Sequence, residues 1–404
     1  MSDIKEAYIT LPKGFKANGV CADMKGNGAL DVGLVYSETP CTIAGVYTKN
    51  LVKGHSLTRS IKLIKAGNKV RAMIVNAKNA NAGVGPVGEV DAEEVAKAVA
   101  SELNITTNEV ITASTGVIGI RLPYEKIVAK VPELVAGLSS DEETAHKAEL
   151  AMMTTDTQPK EVAATITLSD GKEITIAGMA KGSGMIHPNL ATMICEFTTD
   201  ADIEADVLQG MLSRAVSHTF NRVSVDGDTS VCDMVVVMAN GAAGASIADG
   251  SEDAKLFEEA LTGLSLDLSK MIASDGEGAT KFVEIEVYGA ASEYDAQLIV
   301  TAVARSPLCK TAIFGMDANW GRIATAAGYS GAQFDPNGLS ISLCGIQMCK
   351  DGCQCDFSEE EIAELLKEHD INIRIDLKEG DCYDRMFTCD FSYDYVKING
   401  SYRS

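Results

Sequence analysis

Short apolar runs that are typical of buried β-strands alternate with helix-like segments along this chain of 404 residues. Val70–Val75 and Glu109–Ala113 are such runs, and each ends in small polar residues. Between them, Asp91 followed by Glu94 is typical of a helix N-cap with a glutamate at position N3, which predicts a helix to about Leu103. This alternation predicts an α/β (α+β) chain in which mixed sheets are sandwiched between helices.

The same patterns continue to the C-terminus. Apolar or alternating runs predict strands at 162–168, 173–177, 192–197, 235–238, 283–287, 339–343, 371–377 and 387–397. Helical periodicity predicts helices at 141–153, 203–218, 251–272, 293–304 and 358–368. The chain is too long for one typical core, and its last segments predict a smaller C-terminal α+β unit at about 330–404.

Charge restricts the possible partners. With 57 acidic and 35 basic side chains, the chain has a formal net charge of −22. Nucleic acids and anionic membrane surfaces both require clusters of Lys and Arg, so we expect neither as a partner and expect a small-molecule substrate instead.

Three sequence features favour a cytoplasmic location: the N-terminal residues, the length of the apolar runs and the spacing of the cysteines. Met1–Glu6 lacks the basic and apolar regions of a signal peptide, and no apolar run approaches the length of about 18 residues that a membrane helix needs. The 11 cysteines have no disulfide-like spacing, so we expect reduced thiols. The densest group lacks the paired Cys-x-x-Cys motifs of zinc sites; its members are Cys344, Cys349, Cys353 and Cys355.

A candidate nucleophile lies near the middle of the chain, where Ala191 precedes Thr192 at the start of an apolar run. Cleavage of the bond between them would give Thr192 a free α-amino group beside its own hydroxyl. Because an α-amino group has a pKa of about 7.7–8.0, it can act as the base that activates this hydroxyl. The alternative is that Thr192 simply starts a buried strand.

Three other segments carry candidate site residues. Lys181 lies in a glycine-containing loop and can bind a carboxylate, or it is an ordinary surface charge. Thr115-Gly116 follows a predicted strand and can offer a hydroxyl and a backbone N–H to an oxyanion, or it is only a turn. Glu277 lies between two glycines, where a substrate can approach closely.

Together these motifs resemble the ornithine acetyltransferases of arginine biosynthesis, also called glutamate N-acetyltransferases. The resemblance extends from Ile9 to the C-terminus. The segments that carry it are Ser114-Thr115-Gly116, Lys181, Asn189-Leu190-Ala191-Thr192-Met193, Asp226-Gly227-Asp228-Thr229-Ser230, the segment 275–281, Asp317-Ala318-Asn319-Trp320-Gly321-Arg322 and the closing segment 395–404.

The resemblance implies a precursor that cleaves itself between Ala191 and Thr192, into an α chain of residues 1–191 and a β chain of residues 192–404. Thr192 would then take an acetyl group from N2-acetyl-L-ornithine and pass it to L-glutamate in a ping-pong reaction. Acetyl-CoA would be a second acetyl donor if the enzyme is a bifunctional member. The implied fold is shared with N-terminal-nucleophile aminopeptidases of the DmpA type, assembled here as a heterotetramer of α and β chains. No cofactor and no metal are expected.

The resemblance also assigns roles to individual residues. Thr192 would be the nucleophile, and Thr115 and Gly116 would form the oxyanion hole. The substrate-binding residues would be Thr155, Lys181, Thr192, Glu277, Asn399 and Ser404. From charge alone, Glu277 suits the cationic end of ornithine, and Lys181 suits the α-carboxylate that both substrates share.

Two other classes of function are compatible with the residues. A peptidase or amidase would keep Thr192 as the nucleophile but would resolve the acyl-enzyme with water. A small-molecule-binding protein would leave the chain uncleaved, with Thr192 as a strand residue. Glu277 and the closing segment that begins at Asn399 favour the acetyltransferase, because they suit an amino-acid acceptor.

Overall fold

The computed structural model describes residues 2–3, 6–187 and 193–401. Its strands are β1 (Ser2–Asp3), β2 (Phe15–Val20), β3 (Val32–Tyr47), β4 (Val70–Asn76), β5 (Val110–Ser114), β6 (Glu161–Thr167), β7 (Glu173–Lys181), β8 (Ile194–Thr199), β9 (Asp202–Ile203), β10 (Met234–Ala239), β11 (Ser246–Ile247), β12 (Phe282–Ala290), β13 (Ser340–Leu343), β14 (Ile346–Lys350), β15 (Cys353–Gln354), β16 (Asp370–Asp376) and β17 (Cys382–Cys389).

Its helices are α1 (His55–Lys65), α2 (Val87–Leu103), α3 (Tyr124–Ala136), α4 (Glu142–Met152), α5 (Ala205–His218), α6 (Glu252–Ser274), α7 (Glu293–Arg305), α8 (Pro307–Phe314), α9 (Trp320–Gly328), α10 (Glu359–Leu365) and α11 (Tyr393–Ser401). None of the helices in these described residues has the length and apolar character that crossing a lipid bilayer requires. The chain divides into two compact units: the described residues up to 221 together with 228–268, and residues 222–227 together with those from 269 onward.

The first unit is built on a mixed sheet in which the strands follow the order β1-β6-β7-β8-β10-β3-β4-β5, with β2 also paired to β3. The pairs β8–β10 and β4–β5 are parallel, and the other pairs are antiparallel. The long strand β3 links the two halves, because its second half pairs with β10 and its first half pairs with β2 and β4.

Both faces of the strands β4 and β10 are buried, which explains why these strands are largely apolar runs. In β4, Met73 and Val75 belong to a core that includes Ala148 of α4, whereas Ala72 and Ile74 belong to a core that includes residues of α2 and α3. The period-two alternation of side chains separates the two cores. Each large side chain buried in this way stabilises the fold by about 1.5–3 kcal/mol.

The second unit contains a mixed sheet with the order β15-β14-β13-β16-β12-β17. Alternate residues of β12, such as Val283 and Ile285, enter one apolar core with residues of α7, α9 and α10. The elements predicted for 330–404 fall in this unit. The prediction of mixed sheets with packed helices is therefore confirmed in both units.

Two local predictions were wrong. The second helix begins at Val87, with Pro86 at its N-cap, so Asp91 lies inside the helix and its fully buried carboxylate pairs with Arg121 at 2.7 Å. The predicted strand 387–397 ends at Cys389 and is followed by α11. The strand ends here because the next residue, Asp390, binds the loop before β12 instead of continuing the ladder.

Candidate active site

Met193, which follows the predicted nucleophile, is held by hydrogen bonds of both its backbone N–H and its carbonyl oxygen. It is buried, and its N–H donates to Asp233 Oδ1 at 3.1 Å. Its carbonyl oxygen accepts the N–H of Met234 at 3.1 Å. The next residue, Ile194, lies opposite Lys181 on the neighbouring strand. The start of β8 is therefore held between Lys181 on one side and Asp233 on the other.

The turn at Thr115-Gly116 follows β5 directly. The Thr115 N–H donates to the Asn76 carbonyl oxygen, and the Val117 N–H donates to the Lys78 carbonyl oxygen, both at 3.0 Å. Gly116 has a φ of +129°, and a Cβ there would lie 2.2 Å from the Lys78 carbonyl carbon. The Thr115 hydroxyl and the Gly116 N–H are the hydrogen-bond donors of this turn to which the resemblance assigns the oxyanion hole.

Lys181 is the last residue of β7 and not part of a loop as predicted. It is buried, with 1% of its surface exposed, so the alternative that it is a surface charge is also wrong. Its Nζ lies 3.4 Å from Thr115 Oγ1. Burial lowers the pKa of the Lys181 ammonium, because a charged group is disfavoured away from water. The carboxylate of Asp156 opposes this shift by stabilising the charged form.

Asp156 connects the loop that contains Thr155 to the end of β7. Its Oδ1 accepts the Gly182 N–H at 2.6 Å and the Lys160 Nζ at 2.8 Å. Burial alone would raise the pKa of the Asp156 carboxyl, but the charges of Lys181 and Lys160 outweigh burial, and the pKa lies well below its usual value. Asp156 is therefore an anion in a site that also holds two buried lysines.

Two other carboxyl groups near these residues are affected in the opposite direction. Burial raises the pKa of Glu149 to about 8, although Glu149 Oε1 accepts the Lys160 N–H at 3.1 Å. Burial also raises the pKa of Asp233 well above its usual value. Within the described part of the chain, Glu149 Oε2 and Asp233 Oδ2 are buried without a hydrogen-bond partner. Burial thus favours the neutral form of Glu149 and of Asp233, whereas Asp156 is held as an anion.

The second unit brings Glu277 and Asn399 into direct contact. Glu277 lies between α6 and β12 and is 8% exposed, and its Oε2 accepts the Nδ2 of Asn399 at 2.9 Å. Gly278 has a φ of +69°, and a Cβ there would lie 2.4 Å from the Tyr395 nitrogen. The loop and α11 thus approach each other as closely as a glycine allows.

Asp390 fixes the end of the same loop. Its Oδ1 accepts the N–H of Thr280 at 2.8 Å and of Lys281 at 3.0 Å, and its Oδ2 accepts the Thr280 hydroxyl at 2.6 Å. Because Asp390 directly follows β17, the sheet itself positions the loop that carries Glu277.

The predicted site residues that the structure describes fall into two groups. Thr115, Gly116, Thr155 and Lys181 lie in the first unit, whereas Glu277 and Asn399 lie in the second. Lys181 contacts Thr115, and Asn399 contacts Glu277. Ala191, Thr192 and Ser404 lie outside the described residues. The roles of all these residues remain predictions.

Sequence reasoning missed Asp156, Lys160 and Asp233. The first two belong to the same segment as Thr155, which was the only available signal. Their burial has no signal in a single sequence, because charged side chains are normally exposed.

No group of three or more His, Cys, Asp or Glu side chains that could hold a metal ion occurs among residues 2–3, 6–187 and 193–401. All 11 cysteines, which lie in this part of the chain, are free thiols.

Comparison with known proteins gives extensive matches. Residues 16–404 match the ArgJ family. The arginine biosynthesis bifunctional protein ArgJ of Symbiobacterium thermophilum is 47% identical over 399 residues, which cover 98% of each chain. The protein of the same description from Caldanaerobacter subterraneus subsp. tengcongensis is 45% identical, and the match covers 100% of both chains. A solved structure of ornithine acetyltransferase from Mycobacterium tuberculosis, in complex with ornithine, is 39% identical and matches 47% of this chain and 99% of that one, with a TM-score of 0.44.

Proposed function

The chain belongs to the ArgJ family, and from this premise we propose that it transfers the acetyl group of N2-acetyl-L-ornithine to L-glutamate through an acetyl-Thr192 intermediate. Family membership over nearly the whole chain carries the proposal. It confirms the resemblance that the motifs indicated, and with it the prediction of an acyltransferase of arginine biosynthesis.

Self-cleavage at Ala191–Thr192 is the first step of the proposal. The Thr192 hydroxyl attacks the Ala191 carbonyl carbon, the peptide nitrogen becomes the free α-amino group of Thr192, and water then hydrolyses the resulting ester. The hydrogen bonds that Met193 makes with Asp233 and Met234 support this assignment, because they fix the residue next to the cleaved bond. The new α-amino group has a suitable pKa to act as the base in the mature enzyme.

Acetyl transfer follows with the same nucleophile. Thr192 Oγ attacks the acetyl carbon of N-acetylornithine, an ester forms, the amide bond breaks, and ornithine leaves after its nitrogen is protonated. The amino group of glutamate then attacks the ester, which restores the Thr192 hydroxyl and yields N-acetylglutamate. The Thr115 hydroxyl and the Gly116 N–H stabilise the negative oxygen of both tetrahedral intermediates, and each such donor is typically worth about 3–4 kcal/mol.

Substrate recognition is assigned to the charged residues. Lys181 binds the α-carboxylate that ornithine and glutamate share, and Thr155 and Ser404 complete this recognition. Glu277, oriented by Asn399, binds the cationic end of ornithine. The hydrogen bond between Glu277 and Asn399 supports this role, because it fixes the carboxylate without neutralising its charge.

A second acetyl donor is part of the proposal, because the relatives are described as bifunctional. Acetyl-CoA would acetylate the same Thr192, and glutamate would again accept the group.

We further propose that the enzyme acts in the cytoplasm as a heterotetramer of two α and two β chains, as the resemblance implies. Native mass measurement of the purified protein tests the assembly.

Intact mass and N-terminal sequencing of the purified protein test the cleavage. We expect a second chain that begins Thr192-Met193-Ile194. Thr192→Ala should leave a single chain without turnover, whereas Thr192→Ser should still cleave, more slowly. Active, uncleaved wild-type protein would overturn the nucleophile assignment.

The acyl acceptor is tested by mixing N-acetylornithine with the purified enzyme, with and without glutamate. The acetyltransferase releases N-acetylglutamate and ornithine in equal amounts. Release of acetate at the same rate with and without glutamate would instead indicate an amidase.

A further inference from the structure

Asp156 and Lys160 form a buried ion pair beside Lys181. Their side chains are 0% and 1% exposed, and the Asp156 Oδ1–Lys160 Nζ distance is 2.8 Å. The second oxygen of Asp156 accepts the Thr154 N–H at 2.9 Å, and the first also accepts the Gly182 N–H at 2.6 Å. The carboxylate therefore joins the residue before Thr155 to the residue after Lys181.

Stability alone does not explain this pair. Removing two charges from water has a large cost, and apolar residues of similar volume are often as stabilising as a buried ion pair. The backbone donors at Thr154 and Gly182 also require only an acceptor, which a neutral side chain could supply. What the pair adds is charge at a defined place, next to the lysine that binds substrate in the proposed function.

The two members of the pair act on Lys181 in opposite directions. The negative charge of Asp156 stabilises the Lys181 ammonium, whereas the positive charge of Lys160 destabilises it. Among the described residues, Asp233, Cys232 and Lys25 are further titratable groups that influence Lys181. Burial has the largest effect on the pKa of Lys181, and the next two effects, those of Asp156 and Lys160, act in opposite directions.

We propose that Asp156 and Lys160 are a positioning pair for the substrate carboxylate. Asp156 holds the Thr155 loop against the strand end of Lys181, and its negative charge favours the Lys181 ammonium, whereas the positive charge of Lys160 opposes that effect. The role in substrate binding rests on the proposed function, whereas the effect on Lys181 does not.

Carbon-13 NMR of protein labelled at the lysine ε-carbons measures this effect directly. The Lys181 resonance is assigned by its loss in Lys181→Arg, and its titration is followed in wild type, Asp156→Asn and Lys160→Met. Loss of the negative neighbour should move the Lys181 midpoint to lower pH by about one to three pH units. Loss of the positive neighbour should move the midpoint to higher pH.

The opposite signs separate an electrostatic role from a structural one. If the pair were only structural, either variant would disturb the same packing, and the two variants would not shift the titration midpoint of Lys181 in opposite directions. Shifts of the Lys181 midpoint in the same direction in both variants, or no shift in either, would overturn the proposal. If Asp156→Asn does not fold, Lys160→Met decides alone, and a midpoint that stays or falls refutes the pair's role.

Kinetics then link the pair to substrate. KM for glutamate should rise as Lys181 loses its proton, at lower pH in Asp156→Asn and at higher pH in Lys160→Met than in wild type. If the pH dependence of KM does not follow the Lys181 midpoints measured by NMR, the substrate-binding role of the pair is refuted. Absence of acetyl transfer in wild type would instead refute the proposed function, while the NMR result would still decide the effect on Lys181.

Discussion

Replacement of Gly116 by alanine should remove most of the acetyl-transfer activity, because the N–H of this residue is proposed to stabilise the oxyanion. An alanine Cβ would lie 2.2 Å from the carbonyl carbon and 2.4 Å from the oxygen of Lys78, and 2.7 Å from the Asn79 nitrogen. All three atoms belong to the backbone, so no side-chain rotation can relieve the contact.

The size of the effect follows from the displacement. Ordinary contact at such a Cβ begins at 3.4 Å, so the turn must move by about 1 Å. A shift of this size misdirects a hydrogen-bond donor and can reduce turnover about 100-fold. Complete loss of one oxyanion donor reduces kcat by about 100- to 1,000-fold, or about 2.7–4 kcal/mol. We therefore expect kcat of Gly116→Ala to fall by about 100- to 1,000-fold.

Gly119→Ala is the matched control. Gly119 has a φ of +84°, but a Cβ there would have no neighbour within 4 Å. Both variants therefore pay the cost of a left-handed alanine, about 1–2 kcal/mol, and only one of them moves the turn. Gly119→Ala should lose stability and retain its turnover number.

The assay is initial-rate acetyl transfer from N-acetylornithine to glutamate, expressed per molecule of cleaved enzyme. Normalisation is necessary because the same oxyanion hole can serve self-cleavage, so Gly116→Ala should also mature slowly. Thr115→Val provides an independent test, since it removes the second donor without a backbone clash. A folded, cleaved Gly116→Ala enzyme with wild-type kcat would refute the assignment.

Three other perturbations test the surrounding structure. Glu277→Gln should raise KM for N-acetylornithine about tenfold or more, because a charged hydrogen bond is worth about 1.5–3 kcal/mol. KM for glutamate should change less. Equal changes in both KM values would exclude a specific role of Glu277 with ornithine. Asp390→Asn should lower the free energy of unfolding in urea by about 1–3 kcal/mol, because it weakens the acceptor of three loop hydrogen bonds, and wild-type stability would contradict this. Burial raises the pKa of Glu149 to about 8, so the folded state holds a proton that the unfolded state loses at lower pH. Wild-type stability should therefore fall relative to Glu149→Gln as pH rises from about 4.5 to 8 and then level off, and a constant difference in urea unfolding would show that Glu149 ionises normally.

The strands were the most predictable part of the fold. Both faces of β4 are buried, so its sequence is a continuous apolar run, and the predicted strand 70–75 differs from Val70–Asn76 by one residue. Helix starts were less predictable. Asp91 and Glu94 have the spacing of an N-cap, but that spacing also occurs inside helices, and here tertiary pairing with Arg121 explains the aspartate. At Asn319 the polar segment does cap a helix, because its side chain accepts the Arg322 N–H at 3.3 Å.

The pairing of Glu277 with Asn399 shows what a motif can and cannot predict. The resemblance named both residues, but the segment just before Asn399 was predicted to be part of a strand at 387–397. In the structure, Ser392 accepts the Asp394 N–H at 3.1 Å at the start of α11, and the helix presents Asn399 to the Glu277 carboxylate. Local alternation over a few residues is compatible with either structure, so contacts of the loop and the helix decide it.

Buried charge is where prediction from single residues fails for a physical reason. Lysine is normally exposed, yet Lys160, Lys181 and Lys310 are each at most 2% exposed. Each has a compensating environment that is distant in sequence or depends on a loop conformation: Asp156 for the first two, and the Thr388 hydroxyl and the Cys389 carbonyl for Lys310. Such environments violate the pattern of an apolar interior, and violations of local rules tend to concentrate at functional sites. Lys181 contacts Thr115 in the turn of Gly116 and Lys160 pairs with Asp156, whereas Lys310 contacts the strand end that leads to Asp390. Because buried charge also occurs elsewhere, as at Asp91, it supports a functional assignment of Lys181 only together with the resemblance.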